Sequence, residues 1–309
     1  MWTILAFISA LCLGFYDISK KIALRDNRVV DVLTISVCVS ALVLSVPLLL
    51  SRLFPDAMSS SYAYVPTMDL KAHLFTLLKS VIVLSSWVFA YISLKHLPIS
   101  VVSPMQATRP MWTLIGALLI FQEHLNTYQW IGILLAIGSI FIFSFKKPAN
   151  RSTLTDNRST LTDNRYYICL ALAILIGSCS GLYDKYLMRQ YNHNAVQVYY
   201  TLYQAIMMLI TWAIMNRKLK IKNYELRIKK IGVIVLISLF LIVSDNVYML
   251  ALSDPDSLIA VVSTIRRGGA VIGFAYGLLF LKEPDPWRKV LCMTGIMAGL
   301  ICLAIGSIY

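Results

Sequence analysis

Long apolar segments recur along nearly the whole chain of 309 residues. A helix that crosses the hydrocarbon core of a bilayer needs about 20 consecutive, mostly apolar residues. Ten stretches meet this requirement, at 3–24, 30–51, 72–95, 99–122, 127–145, 166–188, 195–215, 231–252, 257–281 and 287–307. Short alternating segments of the kind that build membrane barrels do not occur. We therefore predict an all-α integral membrane protein with ten transmembrane helices.

The composition excludes several functional classes. Hydrophobic residues make up 58% of the chain and charged residues 14%, so no segment is left for a soluble domain. The sequence lacks a P-loop, and its cysteines and histidines are not spaced as metal ligands. We expect no cofactor, no bound metal and no nucleic-acid partner, and a polytopic membrane enzyme is the least favoured class.

The net charge of +13 is concentrated in alternate loops between the predicted helices. Most lysines and arginines lie near 20–28, 146–165, 217–230 and 282–289. Cytoplasmic loops of membrane proteins carry an excess of these residues. The pattern predicts a multi-pass protein of the cell (inner) membrane with both termini outside.

Two pairs of related segments indicate an internal repeat. Gly-Phe-Tyr-Asp at Gly14–Asp17 corresponds to Gly-Leu-Tyr-Asp at Gly181–Asp184, and 101–123 and 261–283 both begin Val-Val-Ser and end with Glu. Each copy holds five helices, an odd number, so the second copy is inserted upside down relative to the first. We predict repeats at 1–148 and 166–309 joined by a polar linker at 149–165.

Three arginines fall near the middle of predicted helices, Arg109 in the fourth and Arg266 and Arg267 in the ninth. An arginine at bilayer mid-depth costs about 2.5–3.5 kcal/mol on insertion scales, so it faces a partner or a wet cavity. Guanidinium groups bind carboxylate or phosphate as a planar fork. The alternative is that Asp245 in the eighth helix and backbone carbonyls neutralise them.

Further polar and aromatic side chains complete the candidate site. Tyr200 and Gln204 share one face of the seventh helix, while Lys79 is expected to extend to an interface and Glu123 to anchor a helix end. The candidate substrate-binding residues are Arg109, Arg266, Arg267, Gln106, Asp245, Tyr16, Tyr183, Tyr200, Gln204 and Trp87. The candidate proton-coupling residues are Asp17, Asp184 and Asp245, of which the first two otherwise pair with neighbouring lysines.

These features resemble the drug/metabolite transporter superfamily, and specifically its EamA-type family. The segments that carry the resemblance are GFYDISKK from Gly14, GLYDK from Gly181 and RR followed by GLLFLKE in the ninth helix. The resemblance implies secondary transport of a small metabolite by alternating access, often outward. The arginines favour an organic anion or a zwitterion such as an amino acid. A lipid or lipid-precursor translocase on the same fold, protons as the coupling ion, and a monomer or a homodimer all stay open.

Overall fold

A computed structural model describes residues 1–24, 27–96, 109–145, 160–218, 231–269, 271–272, 275 and 286–306. Within these ranges the chain is helical and contains no strand. The helices are α1 (Trp2–Leu24), α2 (Val29–Leu53), α3 (Pro55–Ser59), α4 (Leu70–His96), α5 (Arg109–Ile120), α6 (Thr127–Phe145), α7 (Thr160–Gln190), α8 (His193–Lys218), α9 (Ile231–Ser253), α10 (Ile259–Arg267) and α11 (Pro286–Gly306).

Six of the described helices are long and apolar enough to cross a membrane. The spans are Trp2–Lys20, Val30–Leu53, Leu70–Ala90, Arg165–Gln190, His193–Met215 and Ile231–Ser253. Shorter apolar helices cover Arg109–Ile120 and Met293–Gly306. The all-α membrane class is thereby confirmed. The count of ten spans and the inverted repeat stay predictions, because parts of several predicted helices lie outside the described residues.

Helix bounds follow the apolar segments closely. The fifth predicted helix, 127–145, coincides with α6, Thr127–Phe145. Helix α9 ends one residue beyond its predicted end. At α7 the helix begins at Thr160, six residues before the predicted start. A helix satisfies its backbone hydrogen bonds internally, so it continues from the apolar segment into the polar flank. The end of the predicted linker is therefore helical, and 149–159 lies outside the described residues.

The first of two compact units consists of Met1–Val81 and Tyr186–Pro255. In it α1 packs against α9, and α2 packs against α8 and α9. The α1–α9 contact is polar at its centre: Ser9 Oγ donates to the Ser244 carbonyl at 2.8 Å, and Ser244 Oγ donates to the Ser9 carbonyl at 3.0 Å. Small hydroxyl residues let apolar helices approach closely and add hydrogen bonds between them.

The second unit consists of Ile82–Lys185 and Asp256–Tyr309. In it α6 packs against α11, and α10 packs against α5. The α6–α11 contact depends on two glycines, since a Cβ atom on Gly299 would lie 2.7 Å from the Gly132 carbonyl oxygen. A separate hydrogen bond of 2.9 Å from Ser86 Oγ to the Ala173 carbonyl joins α4 to α7.

Candidate functional site

A cavity of about 380 Å³ lies within the first unit. Its walls come from the last part of α2, the first turns of α8, the last part of α9 and the loop at 62–65. Most of the lining is apolar, with Leu44, Val198 and Ile242 among the wall residues. Four polar side chains, Tyr62, Asn194, Gln197 and Asn246, also line the cavity.

The four polar side chains form one hydrogen-bonded network centred on Asn246. Its Nδ2 donates to Asn194 Oδ1 at 3.0 Å and to Gln197 Oε1 at 2.7 Å. The Tyr62 hydroxyl donates to Asn246 Oδ1 at 2.9 Å. Partial burial raises the pKa of the Tyr62 phenol above its ordinary value, so the hydroxyl keeps the proton that it donates. The network fixes the orientation of all three amides.

Local sequence explains this placement. Asn194 and Gln197 are three residues apart on α8 and therefore face the same side of the helix. The loop above them is held from both ends: Asn194 Nδ2 donates to the Tyr62 carbonyl at 2.6 Å, and the Val65 N–H donates to Ser51 Oγ at 3.0 Å. Tyr62 is 61% exposed and marks the outer rim of the cavity.

A second, smaller cavity of about 20 Å³ shares Gln197 and Ile242 with the larger one. Its other lining residues include Ser40, Tyr200, Gln204 and Asp245. Three residues predicted from the sequence, Tyr200, Gln204 and Asp245, are thus brought together. Ser40 is not among the predicted site residues, and it lies in a helix with few polar groups.

The small cavity lies well inside the candidate spans. Tyr200 follows the first residue of α8 by seven positions, and Asp245 precedes the last residue of α9 by eight. At 1.5 Å per residue, both are roughly 11–12 Å from their helix ends. A polar group at this depth is costly unless it is paired or serves a function.

Lys79 does not extend to an interface, so that expectation is wrong. Its side chain is 2% exposed, and its Nζ lies 4.6 Å from the centroid of the Tyr200 ring. An ammonium over an aromatic face is stabilised by the negative charge of the ring face, more strongly when water is excluded. This contact offsets part of the cost of keeping the lysine inside the helix bundle.

Tyr16 and Asp17 line neither of these cavities. Tyr16 packs against a small cluster of buried residues that includes Ala23 and Val32, and Lys20 Nζ lies 5.6 Å from its ring centroid. Asp17 is exposed on α1. The predicted roles of both residues stay predictions.

The remaining predicted site residues belong to the second unit. Arg109 begins α5, and its guanidinium group packs against Gly177 of α7. Arg266 and Arg267 form the last turn of α10, where Arg266 is half-buried and Arg267 exposed. Trp87 and Tyr183 are half-buried, and Asp184 is buried.

Gln106 lies outside the described residues. Asp245 belongs to the first unit, so its pairing with an arginine stays a prediction.

The backbone tightens directly after the two arginines. Two backbone hydrogen bonds here join residues three apart in the chain. Gly268 N donates to the Ile265 carbonyl at 2.8 Å, and Gly269 N donates to the Arg266 carbonyl at 3.3 Å. Such 3₁₀ geometry interrupts the regular α-helix. The regular helix therefore ends directly after its two arginines.

Two buried charged groups in the second unit hold the start of α10. The Glu123 carboxylate accepts hydrogen bonds from Ile259 N at 2.6 Å and Ala260 N at 3.2 Å, which agrees with its interpretation as an anchor. Lys185 is fully buried and donates to the Ser257 carbonyl at 2.5 Å and to the Ser257 hydroxyl. Within the described residues no group of three potential metal ligands occurs.

Comparison with known proteins identifies the family. Residues 1–145 match the model of the EamA-like transporter family. That family lies within the drug/metabolite transporter superfamily, and the match covers a little under half of the chain. A crystal structure of another protein is similar to this chain, with a TM-score of 0.73. The two sequences are 9% identical, and the match covers 98% of this chain and 96% of the other chain. At that identity the likeness shows the fold alone. No curated protein matches the chain.

EamA-like proteins are generally transporters rather than enzymes, in agreement with the predicted class. The match and the apolar helices together show a multi-pass membrane protein. The predicted resemblance to the EamA-type family is confirmed.

Gly177 offers a test of Arg109 in this EamA-like protein that leaves the arginine in place. A Cβ atom at position 177 would overlap the Arg109 guanidinium group, the mobile end of a long side chain. We expect Gly177→Ala to displace Arg109 with a loss of stability below about 1 kcal/mol, because only the end of a flexible side chain has to move. Transport measured in proteoliposomes should fall at least severalfold if the position of Arg109 matters.

Gly232→Ala is the matched control, because no atom of the described residues lies within 4 Å of a Cβ at that position. Undiminished transport by Gly177→Ala, together with normal thermal stability, would remove Arg109 from the list of substrate-binding candidates.

Proposed function

We propose that the protein is a secondary active transporter that carries a small amphipathic zwitterion across the cell membrane by alternating access. The observation that carries the proposal is the cavity of about 380 Å³ among membrane-spanning helices. Small-molecule sites typically have volumes of roughly 300–1,000 Å³, apolar walls and a few fixed polar groups. The amide network supplies such polar groups against an otherwise apolar lining.

The charges around the cavity favour a zwitterion over a simple anion. The polar residues of the larger cavity carry no formal charge, and the smaller cavity beside it has one acidic residue, Asp245. Lys79 adds a positive charge nearby, with its Nζ 4.6 Å from the ring centroid of Tyr200, which lines the same cavity. A solute that carries both signs of charge matches these surroundings better than one that carries a single sign. Arg109, Arg266 and Arg267 in the second unit remain candidates for contact with an anionic group during transport.

The loop charges support an orientation for the cavity. If both termini lie outside, the end of α2 and the start of α8 face the outside. The rim at Tyr62 then opens toward the exterior. Export, and coupling to protons through Asp17, Asp184 or Asp245, remain part of the proposal as predicted from the sequence.

The test combines ligand binding with transport. The purified full-length protein is screened by thermal shift against α-amino acids, dicarboxylates, phosphorylated metabolites, quaternary amines and lipid precursors. A ligand at a hundredfold excess over its dissociation constant adds about 2.7 kcal/mol of stability. Amino acids should raise the midpoint of thermal unfolding, and the same compounds should exchange across proteoliposome membranes.

Asn246→Leu is the informative variant because it removes the centre of the amide network, and it should abolish both the shift and the exchange. A shift with lipid precursors alone would replace the proposal by a translocase. Stabilisation by dicarboxylates alone would replace the zwitterion by an anion. Absence of exchange for every compound would contradict transport of this solute class.

A further inference from the structure

Resting on the proposed function, we infer that the solute carries an uncharged hydroxyl group, which binds in the small cavity as the hydrogen-bond partner of Gln204 and Ser40. The solute is thus a hydroxylated zwitterion, such as an amino acid whose side chain ends in a hydroxyl. Its apolar chain lies in the larger cavity, beside the walls formed by Leu44 and Val198.

The first argument is a pair of buried polar atoms. Gln204 Nε2 and Ser40 Oγ have no hydrogen-bond partner among the described residues. Both residues line the small cavity, and they are only 4% and 3% exposed, so bulk water does not compensate them. Buried polar atoms in proteins are nearly always hydrogen-bonded. The two atoms therefore indicate a partner that is not part of the chain.

The second argument is the chemistry that this partner needs. The amide nitrogen of Gln204 only donates hydrogen bonds, so its partner has to be an acceptor. The Ser40 hydroxyl both donates and accepts. A hydroxyl group on the solute accepts from Gln204 Nε2 and pairs with Ser40 Oγ in either direction. An ammonium group has only donors and would leave Gln204 Nε2 as it is.

The third argument is that other polar side chains of the small cavity are engaged within the protein. Thr201 Oγ1 donates to the Gln197 carbonyl at 2.8 Å, and Gln197 Nε2 donates to the Ile242 carbonyl at 2.7 Å. Tyr200 and Asp245 also have interactions of their own. A ligand therefore gains its hydrogen bonds from the two partnerless atoms rather than from these groups.

The fourth argument concerns charge. The described residues around the small cavity include one formal charge of each sign, because Asp245 lines it and Lys79 Nζ lies 4.6 Å from the ring centroid of Tyr200. A single ion placed there would be attracted by one charge and repelled by the other, and it would lose its hydration. An uncharged hydroxyl loses much less hydration. The charged groups of the zwitterion therefore stay outside the small cavity.

The fifth argument is size. The small cavity, of about 20 Å³, holds one group the size of a water molecule. A hydroxyl group is close to water in size, whereas a carboxylate or a terminal amide has three heavy atoms. The two cavities share Gln197 and Ile242 and lie side by side. An unbranched chain in the larger cavity can therefore place its terminal hydroxyl in the smaller one.

Four amino acids with the same unbranched six-carbon skeleton test the inference. The sixth carbon carries a hydroxyl in 6-hydroxynorleucine, only hydrogen in norleucine, an ammonium group in lysine and carboxylate oxygens in 2-aminoadipate. Binding to the purified full-length protein is measured by titration calorimetry. We expect 6-hydroxynorleucine to bind at least tenfold more tightly than each of the others, since an analogue without the hydroxyl leaves buried polar groups unpaired. Norvaline and 5-hydroxynorvaline repeat the comparison with a chain one carbon shorter.

Gln204→Leu removes the donor and keeps a side chain of similar size. It should lower the preference for 6-hydroxynorleucine over norleucine at least fivefold. Without ligand, the variant should unfold at or above the wild-type temperature, because it also removes a buried donor that has no partner. A purely structural role of Gln204 would give the opposite result, which is a less stable protein with an unchanged preference.

Ser40→Ala removes the second partner and should lower the same preference severalfold, again without a loss of stability in the absence of ligand. Ser45→Ala on the same helix is its control and should bind both compounds as the wild type does. Ser45 lines neither cavity, and its Oγ donates to the Leu42 carbonyl at 2.7 Å. If Gln204→Leu does not fold, the two serine variants decide.

The outcomes separate this inference from the proposed function. If the hydroxyl adds no affinity at either chain length, or if Gln204→Leu and Ser40→Ala keep the wild-type preference, the small cavity holds water rather than a group of the solute, while transport of a zwitterion still stands. Tightest binding of lysine or 2-aminoadipate would make it a site for a charged group. If other amino acids bind and none of these compounds does, the hydroxyl site is wrong as well. Lack of ligand-dependent exchange for every compound contradicts the proposed function itself.

Discussion

Replacing Glu123 by alanine is expected to destabilise the folded protein by about 2–4 kcal/mol, since each buried donor left without a partner costs about 1–3 kcal/mol. The carboxylate accepts hydrogen bonds from the first two N–H groups of α10, and both donor residues are at most 2% exposed. Water cannot easily replace the lost acceptor. The negative charge also interacts favourably with the positive end of the helix dipole. The midpoint of thermal unfolding in detergent measures the effect.

Two variants control the Glu123 experiment. Glu123→Gln keeps one acceptor oxygen and loses the charge, so it should lose about half as much stability. His124→Ala changes an exposed neighbour and should leave the midpoint unchanged. A wild-type midpoint for Glu123→Ala would mean that packing alone holds the start of α10.

Much of the fold follows from the sequence because a bilayer restricts what a backbone can do. The backbone of an apolar segment inside lipid must form all its hydrogen bonds within the segment. The length of the segment therefore predicts the length of the helix. The agreement at Thr127–Phe145 shows this. The early start of α7 at Thr160 could not be predicted from hydropathy. Polar residues outside the bilayer have the same hydropathy whether they extend a helix or form a loop.

The candidate site was only partly predictable. The helical spacing of Tyr200 and Gln204 indicated a shared face, and the depth of Asp245 indicated a buried polar region. Ser40 was missed because a serine in an apolar helix usually bonds to its own backbone, as Ser45 does at 2.7 Å. The partner of Lys79 depends on how α4 packs against α8, which hydropathy does not encode.

Two inter-helix contacts support the predicted repeat. Among the ten predicted transmembrane helices, the first corresponds to the sixth and the eighth to the third. The pair joined by Ser9 and Ser244 is then equivalent to the pair joined by Ser86 and Ala173. In the equivalent direction, Ser244 Oγ donates to the Ser9 carbonyl at 3.0 Å and Ser86 Oγ donates to the Ala173 carbonyl at 2.9 Å. Equivalent packing is what the predicted inverted repeat requires, and the repeat itself stays a prediction.

Gly132→Ala is expected to destabilise the protein by about 1–3 kcal/mol, the usual cost of overpacking a close contact. A Cβ atom at this position would lie 2.7 Å from Leu303 Cγ, 2.8 Å from the Gly299 carbonyl oxygen and 3.0 Å from Leu303 N. Two of these are backbone atoms, so α6 and α11 would have to separate. Small residues at such a contact let membrane helices pack closely, and the packing itself stabilises the pair.

Gly138→Ala on the same helix is the matched control for Gly132→Ala. Within the part of the chain that the structure describes, no atom lies within 4 Å of a Cβ at position 138, so the substitution adds no contact there. In a helix interior alanine is favoured over glycine by about 1 kcal/mol, so this variant should be as stable as the wild type or more so. Opposite shifts of the two thermal midpoints would show that contact geometry, rather than helix propensity, decides the sign. Equal midpoints would contradict close packing of α6 against α11.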